Sequence, residues 1–196
     1  KPDRRQRQMC IRDSSNSGEE NILRAKAVVF EGPEDYHNRL NDPELNIDEK
    51  TILFIRGVGC VGYPGSAEVV NMQPPDKLLK KGITHLPTVG DGRQSGTSES
   101  PSILNASPES VVGGGLAYLK TGDPVILDLN KGTLNADVDE KEWSNRIKKW
   151  KEPKIENQTP WQEIYRTNVG QLADGGCLEL ATAYKRIAKH LPRDNH

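Results

Sequence analysis

The chain has 196 residues, with 27 Lys and Arg against 28 Asp and Glu, a formal net charge of −1 and 34% hydrophobic residues. That is long enough for one sizeable domain, and the balanced charge supplies no global field to draw nucleic acid or an anionic membrane. No apolar run approaches the roughly 20 residues a membrane span needs, no secretory pattern is seen, and three dispersed cysteines (Cys10, Cys60, Cys177) fit neither a disulfide framework nor a zinc site, so a cytoplasmic home is expected.

Residues 1 to 24 are out of keeping with the rest: basic (Arg4, Arg5, Arg7, Arg12), then rich in serine. They read as a disordered or foreign leader, and RQRQMCIRDS resembles translated sequencing-adapter sequence, so Cys10 is kept out of any chemistry. From Ala25 the pattern becomes regular. AKAVVF predicts a strand, EDYHNRLND a helix ended near Pro43, and TILFI a β-branched strand leading into a glycine loop. Pro64-Gly65-Ser66 predicts a turn and N-cap, with AEVVNM as a short helix up to Pro74-Pro75. DKLLKKG predicts a helix closed by Gly82, THLPTVG a strand, DGRQSGTSESP a hydroxyl-rich loop, and ESVVGGGLAYLKTG a mixture of helix and glycine turn. PVILDLNKGTLNADV reads as a hairpin across Asn130-Lys131-Gly132. DEKEWSNRIKKW is a helix with acids first and bases last, as the dipole prefers. A polar linker, KEPKIENQTP, leads to a final helical stretch broken at Asp174-Gly175-Gly176.

The glycine loop, Gly57-x-Gly59-x-x-Gly62, spells the turn of a dinucleotide-binding motif. Only one of that motif's contexts is met. A strand precedes it, but Tyr63-Pro64-Gly65 intervenes before any helix, and Asp76, the nearest acid at the right distance, follows two prolines. A turn that needs positive φ is the plainer reading. Glu68, inside the expected helix, is either a first-turn acid complementing the dipole or a ligand for a hard cation. In the second loop, Asp91 to Ser98 gathers an acid, an arginine and three hydroxyls between glycines, a composition suited to cradling an anion or holding Ser95 as a base. No histidine lies near enough in sequence to suggest a Ser-His-Asp triad, and the spacing is not that of a nucleophile elbow.

At these loops a resemblance emerges. GYPGSAEVVNMQPPDKLLKKGI and LPTVGDGRQSGTSESPSILNASPESVVGGGLAYLKTGD, with TPWQEIYRTNVGQL and the closing PRDNH, closely resemble the C-terminal domain of the dihydroxy-acid and phosphogluconate dehydratase family, in its sugar-acid branch. The resemblance implies an α/β fold: a swivelling-type β-barrel flanked by helices over residues 25–150, then a linker and C-terminal helical tail over 151–196. It implies a hydro-lyase that converts a pentonate, such as L-arabinonate or D-xylonate, to a 2-keto-3-deoxy acid. Carried over to this sequence, Glu68 becomes a Mg²⁺ ligand and Ser95 the base that removes the C2 proton. Thr97, Arg93 and the terminal His196 fall near the substrate, although an arginine beside Asp91 could equally brace the loop.

The same resemblance places an iron–sulfur cluster, of two-iron or four-iron type, in an N-terminal domain that these 196 residues do not include; Cys60 is expected to be a small buried thiol rather than a cluster ligand. The fragment alone is therefore expected to be inactive, completed by that domain and by assembly into a dimer or tetramer, with neither nucleic acid nor membrane as partner. Gln94 stands where dihydroxy-acid dehydratases carry phenylalanine, and Arg56-Gly57-Val58-Gly59 replaces their Tyr-Glu-Gly-Pro; both departures favour a sugar acid. A dihydroxy-acid or gluconate dehydratase domain, and a non-catalytic module that binds a sugar acid, are the alternatives.

Overall fold

The computed structural model describes residues 9–10, 22–64, 68–69, 71–94 and 101–181. Its centre is TILFI, strand β3 (Thr51–Ile55), in which every residue is buried. A continuous apolar run of this kind belongs in a parallel sheet covered on both faces. β3 pairs in parallel with β2 (Ile22–Phe30) on one side and β5 (Thr88–Gly90) on the other, and β5 pairs in parallel with β7 (Ser102–Ile103). Beyond β2 the ladder turns antiparallel through β8 (Pro124–Asp128) and β9 (Thr133–Ala136), and β1 (Met9–Cys10) runs antiparallel to β7 at the far edge. The result is a mixed seven-stranded sheet, ordered β1-β7-β5-β3-β2-β8-β9. A separate parallel ribbon joins β4 (Glu68–Val69) to β6 (Arg93–Gln94).

Alternation divides the core in two. Val28, Phe30, Leu53 and Ile55 face one side, where Tyr36 of α1 (Pro33–Arg39) and Leu78 of α2 (Asp76–Leu79) pack on them. Ala27, Val29, Ile52 and Phe54 face the other, against Leu116, Leu119, Val125 and Leu127. Helix α3 (Glu140–Lys149) is capped by Asp139, which accepts from the N–H groups of Lys141 and Glu142. It is anchored by Arg146, which forks onto buried Asp123 at 2.5 and 3.0 Å and donates to Tyr118 O at 3.1 Å. Trp143 and Trp150 meet Tyr118 edge-on, whereas Trp161 of α4 (Pro160–Asn168) is 77% exposed.

The hairpin at 124–136, the helices at 33–39 and 140–149, and the strands at 25–30 and 51–55 form where the pattern places them. Five expectations change. Residues 22–24, assigned to the leader, open β2 and pair with β8, because Leu23 continues the apolar face of Ala25, Ala27 and Val29. Met9–Cys10 likewise pairs with β7 rather than standing apart. Glu68–Val69 is a strand and not a helix, because Arg93–Gln94 offers it a ladder. Of THLPTVG only Thr88–Gly90 is strand, since Pro87 has no N–H to give to one. ESVVGGGLAYLKTG becomes two 3₁₀ turns, Ser110–Val112 and Gly115–Tyr118, separated by Gly113 at φ +85°. The tail carries α4 and a 3₁₀ turn at Leu172–Asp174 up to the last described residue, 181.

Tyr36 is 3% exposed, and its hydroxyl accepts from Gln73 N–H at 2.7 Å and lies 3.2 Å from Gln73 O, to which it donates. Burial pushes its pKa up, against a smaller opposing effect of the Gln73 hydrogen bond. A folded pKa above the unfolded value leaves the stabilisation complete below pH of about 10 and removes it as pH rises through the folded pKa. Tyr36→Phe should cost about 1–2 kcal/mol at pH 8 by unpairing Gln73. In urea titrations repeated from pH 8 to 11, that gap should shrink; a constant gap would contradict the buried, neutral phenol.

Candidate functional site

The carboxyl ends of β3 and β5 open into the two loops picked out in the sequence. Asp91, directly after β5, is fully buried, and both its oxygens are occupied. Gly57 and Val58 donate their N–H groups to Oδ2 and Oδ1 at 3.1 and 3.0 Å. Ser110 donates its N–H at 2.8 Å and its hydroxyl at 2.6 Å to Oδ2, while its Oγ accepts from Gly57 N–H at 2.8 Å. Gly57 has φ +76°, a left-handed turn that favours glycine. Gly92 is needed for space: a Cβ there would lie 2.1 Å from Val58 O.

A second buried carboxylate holds the far half of the glycine loop. Glu109, 2% exposed, accepts from Val61 N–H at 3.0 Å and Gly62 N–H at 2.9 Å. Gln171 closes this cluster from the tail, donating Nε2 to Glu109 Oε1 at 2.9 Å and accepting Glu109 N–H at 2.8 Å. Arg166 of α4 takes the loop's carbonyls, with Nε donating to Val61 O at 2.9 Å and Nη2 lying 3.5 Å from Gly62 O. Gly59 must lack a side chain, because its Cβ would meet Glu109 Oε2 at 2.4 Å. Arg56, at the mouth of β3, is neutralised by Glu31 and donates Nη1 to the carbonyls of Leu116 and Leu119 at 2.7 and 2.9 Å.

Four N–H groups of the loop are thus spent on the protein's own carboxylates, and the chain runs on into a strand instead of a helix. A dinucleotide turn needs those N–H groups facing a pyrophosphate at a helix N-terminus. That reading of GxGxxG is therefore set aside, and the motif is a loop of close backbone approach.

Glu68 and Arg93 stand opposite each other in the β4–β6 ribbon, both exposed, so the ribbon brings the two loops' sequence neighbourhoods together. Ser95 follows β6 directly in sequence; Ser95, Thr97 and His196 lie outside the described residues. Among the described residues no three His, Cys, Asp or Glu side chains gather into a metal-binding group. Glu68, as a single exposed carboxylate, fits one oxygen ligand of a hard cation whose other ligands come from elsewhere. The thiols do not fit an iron–sulfur cluster: Cys60 is 1% exposed beside Gly176, and Cys177 is at the surface. Sequence reasoning missed Glu109, Ser110, Arg166 and Gln171 as a set. The one available signal was an acid next to an apolar, glycine-rich run, and their partners lie 19 to 105 residues away in sequence.

The sequence model described as dihydroxy-acid/6-phosphogluconate dehydratase C-terminal matches residues 7–177, starting inside the segment read as a leader. D-xylonate dehydratase of Caulobacter vibrioides is 58% identical over 182 residues, 93% of this chain and 31% of that protein. L-arabinonate dehydratase of Rhizobium leguminosarum bv. trifolii is 43% identical over 129 residues, 66% of this chain and 22% of that protein. Dihydroxy-acid dehydratase of Schizosaccharomyces pombe is 34% identical over 151 residues, 76% of this chain and 25% of that protein. The chain therefore spans a third or less of the length of these relatives.

Asp91→Asn keeps one acceptor and turns an NH₂ group towards N–H and O–H donors. It should lower stability by at least about 3 kcal/mol in urea unfolding, since each bond to a buried charge contributes about 1.5–3 kcal/mol. A loss under 1 kcal/mol, within the range of an ordinary surface change of roughly ±0.5 kcal/mol, would show that the carboxylate does not organise the loops.

Proposed function

The chain belongs to the dihydroxy-acid/6-phosphogluconate dehydratase family, as its C-terminal domain, and from that membership we propose that it is the C-terminal part of a hydro-lyase that dehydrates a pentonate to a 2-keto-3-deoxy acid. The observation that carries the proposal is the β4–β6 ribbon, which sets Glu68 across from Arg93, two residues before Ser95. Support for a sugar acid comes from the 58% and 43% identities to proteins named for D-xylonate and L-arabinonate.

In this reading Ser95 takes the proton from C2, the C3 hydroxyl departs and is protonated to water as the C2–C3 double bond forms, and the resulting enol tautomerises to the 2-keto acid. Bound Mg²⁺ would draw charge from the substrate carboxylate and C2 hydroxyl and so make the C2 proton more acidic. Glu68 serves as one of its oxygen ligands. Arg93 orients the carboxylate, and Thr97 and His196 contact the hydroxyls. A serine is a weak base until its alkoxide is stabilised, a task this reading gives to N–H groups of the hydroxyl-rich loop that begins at Asp91. The rigid clamp at Asp91 keeps the start of this loop from drifting, which matters because a misplacement of about 1 Å can cost about 10²-fold in rate.

The iron–sulfur cluster and the remaining Mg²⁺ ligands belong, in the same proposal, to an N-terminal domain. A swivelling-type barrel, cytoplasmic residence and assembly into a dimer or tetramer complete it. No helix among the described residues is long and apolar enough to cross a membrane.

The test is a hybrid in which this chain replaces the corresponding C-terminal third of the Caulobacter vibrioides D-xylonate dehydratase. The hybrid should dehydrate D-xylonate. Ser95→Ala should lower kcat by at least about 10²-fold, the contribution of a positioned base. Glu68→Gln should raise the Mg²⁺ concentration needed for half-maximal activity. A hybrid that folds and loads its cofactors but leaves D-xylonate untouched, or one indifferent to Ser95→Ala, would contradict the proposal.

A further inference from the structure

Gln94, the inward-facing residue of β6, is 6% exposed, and only one end of its amide is held. Thr88 Oγ1 lies 3.2 Å from Gln94 Oε1, while Gln94 Nε2 is buried with no hydrogen-bond partner. The Thr88 hydroxyl has a single proton, and Ser102 Oγ lies 2.9 Å from it as a competing acceptor. If the proton goes to Ser102, the amide turns over, Nε2 donates to Thr88, and Oε1 becomes the unpartnered end. In both arrangements one buried amide end is left over, and a buried polar group without a partner is costly.

A second amide nearby shares the condition. Asn105, left-handed at φ 58°, has a buried Oδ1 without a partner. Its N–H donates to Gly92 O at 3.0 Å, and the next residue, Ala106, donates to Gly90 O at 3.0 Å, so Asn105 lies along the segment that leads into Gln94. The position is also telling. A Cβ on Gly90 would lie 2.8 Å from Gln94 Nε2 and 2.8 Å from Ile55 Cγ2, which puts the Gln94 amide over the carboxyl ends of β3 and β5. In open α/β sheets this is the edge where ligands bind.

Both groups are neutral and supply no counter-charge to a carboxylate or phosphate, so an uncharged polar group is the fitting partner. A hydroxyl donates and accepts, and therefore satisfies either end of the Gln94 amide as well as the acceptor on Asn105. We propose that Gln94, assisted by Asn105, is the subsite for a hydroxyl of a polyhydroxylated ligand and sets specificity for it. The proposal rests on the sugar-acid reading above and goes beyond it: the hydroxyl is one further along the chain than C3, present in a pentonate and missing from a short 2,3-dihydroxy acid.

The experiment compares two probes in the same hybrid: D-xylonate as substrate, and 2,3-dihydroxybutanoate, which has no hydroxyl at C4 or C5, as competitive inhibitor. Gln94→Met keeps the length and removes both polar ends. The expected result is a KM for D-xylonate raised at least about tenfold, with the Ki of 2,3-dihydroxybutanoate changed less than twofold, because a site built to bond a hydroxyl is penalised only for ligands that carry one. If the methionine variant does not fold, Gln94→Asn, one methylene shorter, should show the same split. Constants that rise together would mark a merely structural amide, and constants that do not move would mark an amide bridged by water; either overturns the proposal. A wild-type hybrid inert to D-xylonate would instead overturn the parent reading as well.

Discussion

The carboxylate of Asp91 is the constraint from which the rest of the site follows. A charge at zero exposure is tolerable only when its lone pairs are filled, and here the fillers are the N–H groups of residues 57, 58 and 110 and the hydroxyl of Ser110. Those bonds tie three segments that are distant in sequence to one point at the carboxyl end of β5. They also explain two glycines at once. Gly57 takes the left-handed turn that aims its N–H at the carboxylate, and Gly92 leaves room for Val58 O.

Glu109 repeats the device for the second half of the glycine loop, and through Gln171 it draws in the C-terminal segment. Arg166 adds the complementary half, taking carbonyls where Glu109 takes N–H groups. The loop is thereby fixed on both sides of its backbone, which distinguishes it from a loop that waits for a phosphate. What the fixed loop frames is the short β4–β6 ribbon, where an exposed acid and an exposed arginine face each other across parallel strands. An exposed carboxylate that belongs to no metal-binding group among the described residues offers a hard cation one oxygen ligand, and the chain is about a third of the length of its relative from Caulobacter vibrioides.

Local signals were legible in the sequence where physics is local. TILFI, the 124–136 hairpin with its Asn130-Lys131-Gly132 turn, and the capped, dipole-matched helix at 140–149 formed as read. AEVVNM was misread because an N-cap-like serine outweighed the β preference of its valines, and no local rule announces that Arg93–Gln94 will supply a strand partner. Strand β2 reached back to Ile22 because the polar composition before Ala25 hid two apolar residues in register. The loops themselves stood out as glycine-rich turns and led to a family whose model matches most of the chain. Their bracing did not, since Asp91–Gly57, Glu109–Val61 and Arg166–Val61 join residues 34, 48 and 105 positions apart. Of the five expected site residues, Glu68 and Arg93 are brought together by the ribbon, while Ser95, Thr97 and His196 lie outside the described residues.

The most direct measurement of the central claim is amide hydrogen exchange, read by NMR at Gly57, Val58, Val61 and Gly62 in the 196-residue chain. If buried carboxylates hold these N–H groups, the four amides exchange on the timescale of the core strand Thr51–Ile55 and do not shift when phosphate or a dinucleotide is added. Exchange at the rate of an open loop, or chemical-shift changes at these amides on adding phosphate, would show that the N–H groups face solvent and a ligand, and the clamp would have to be abandoned.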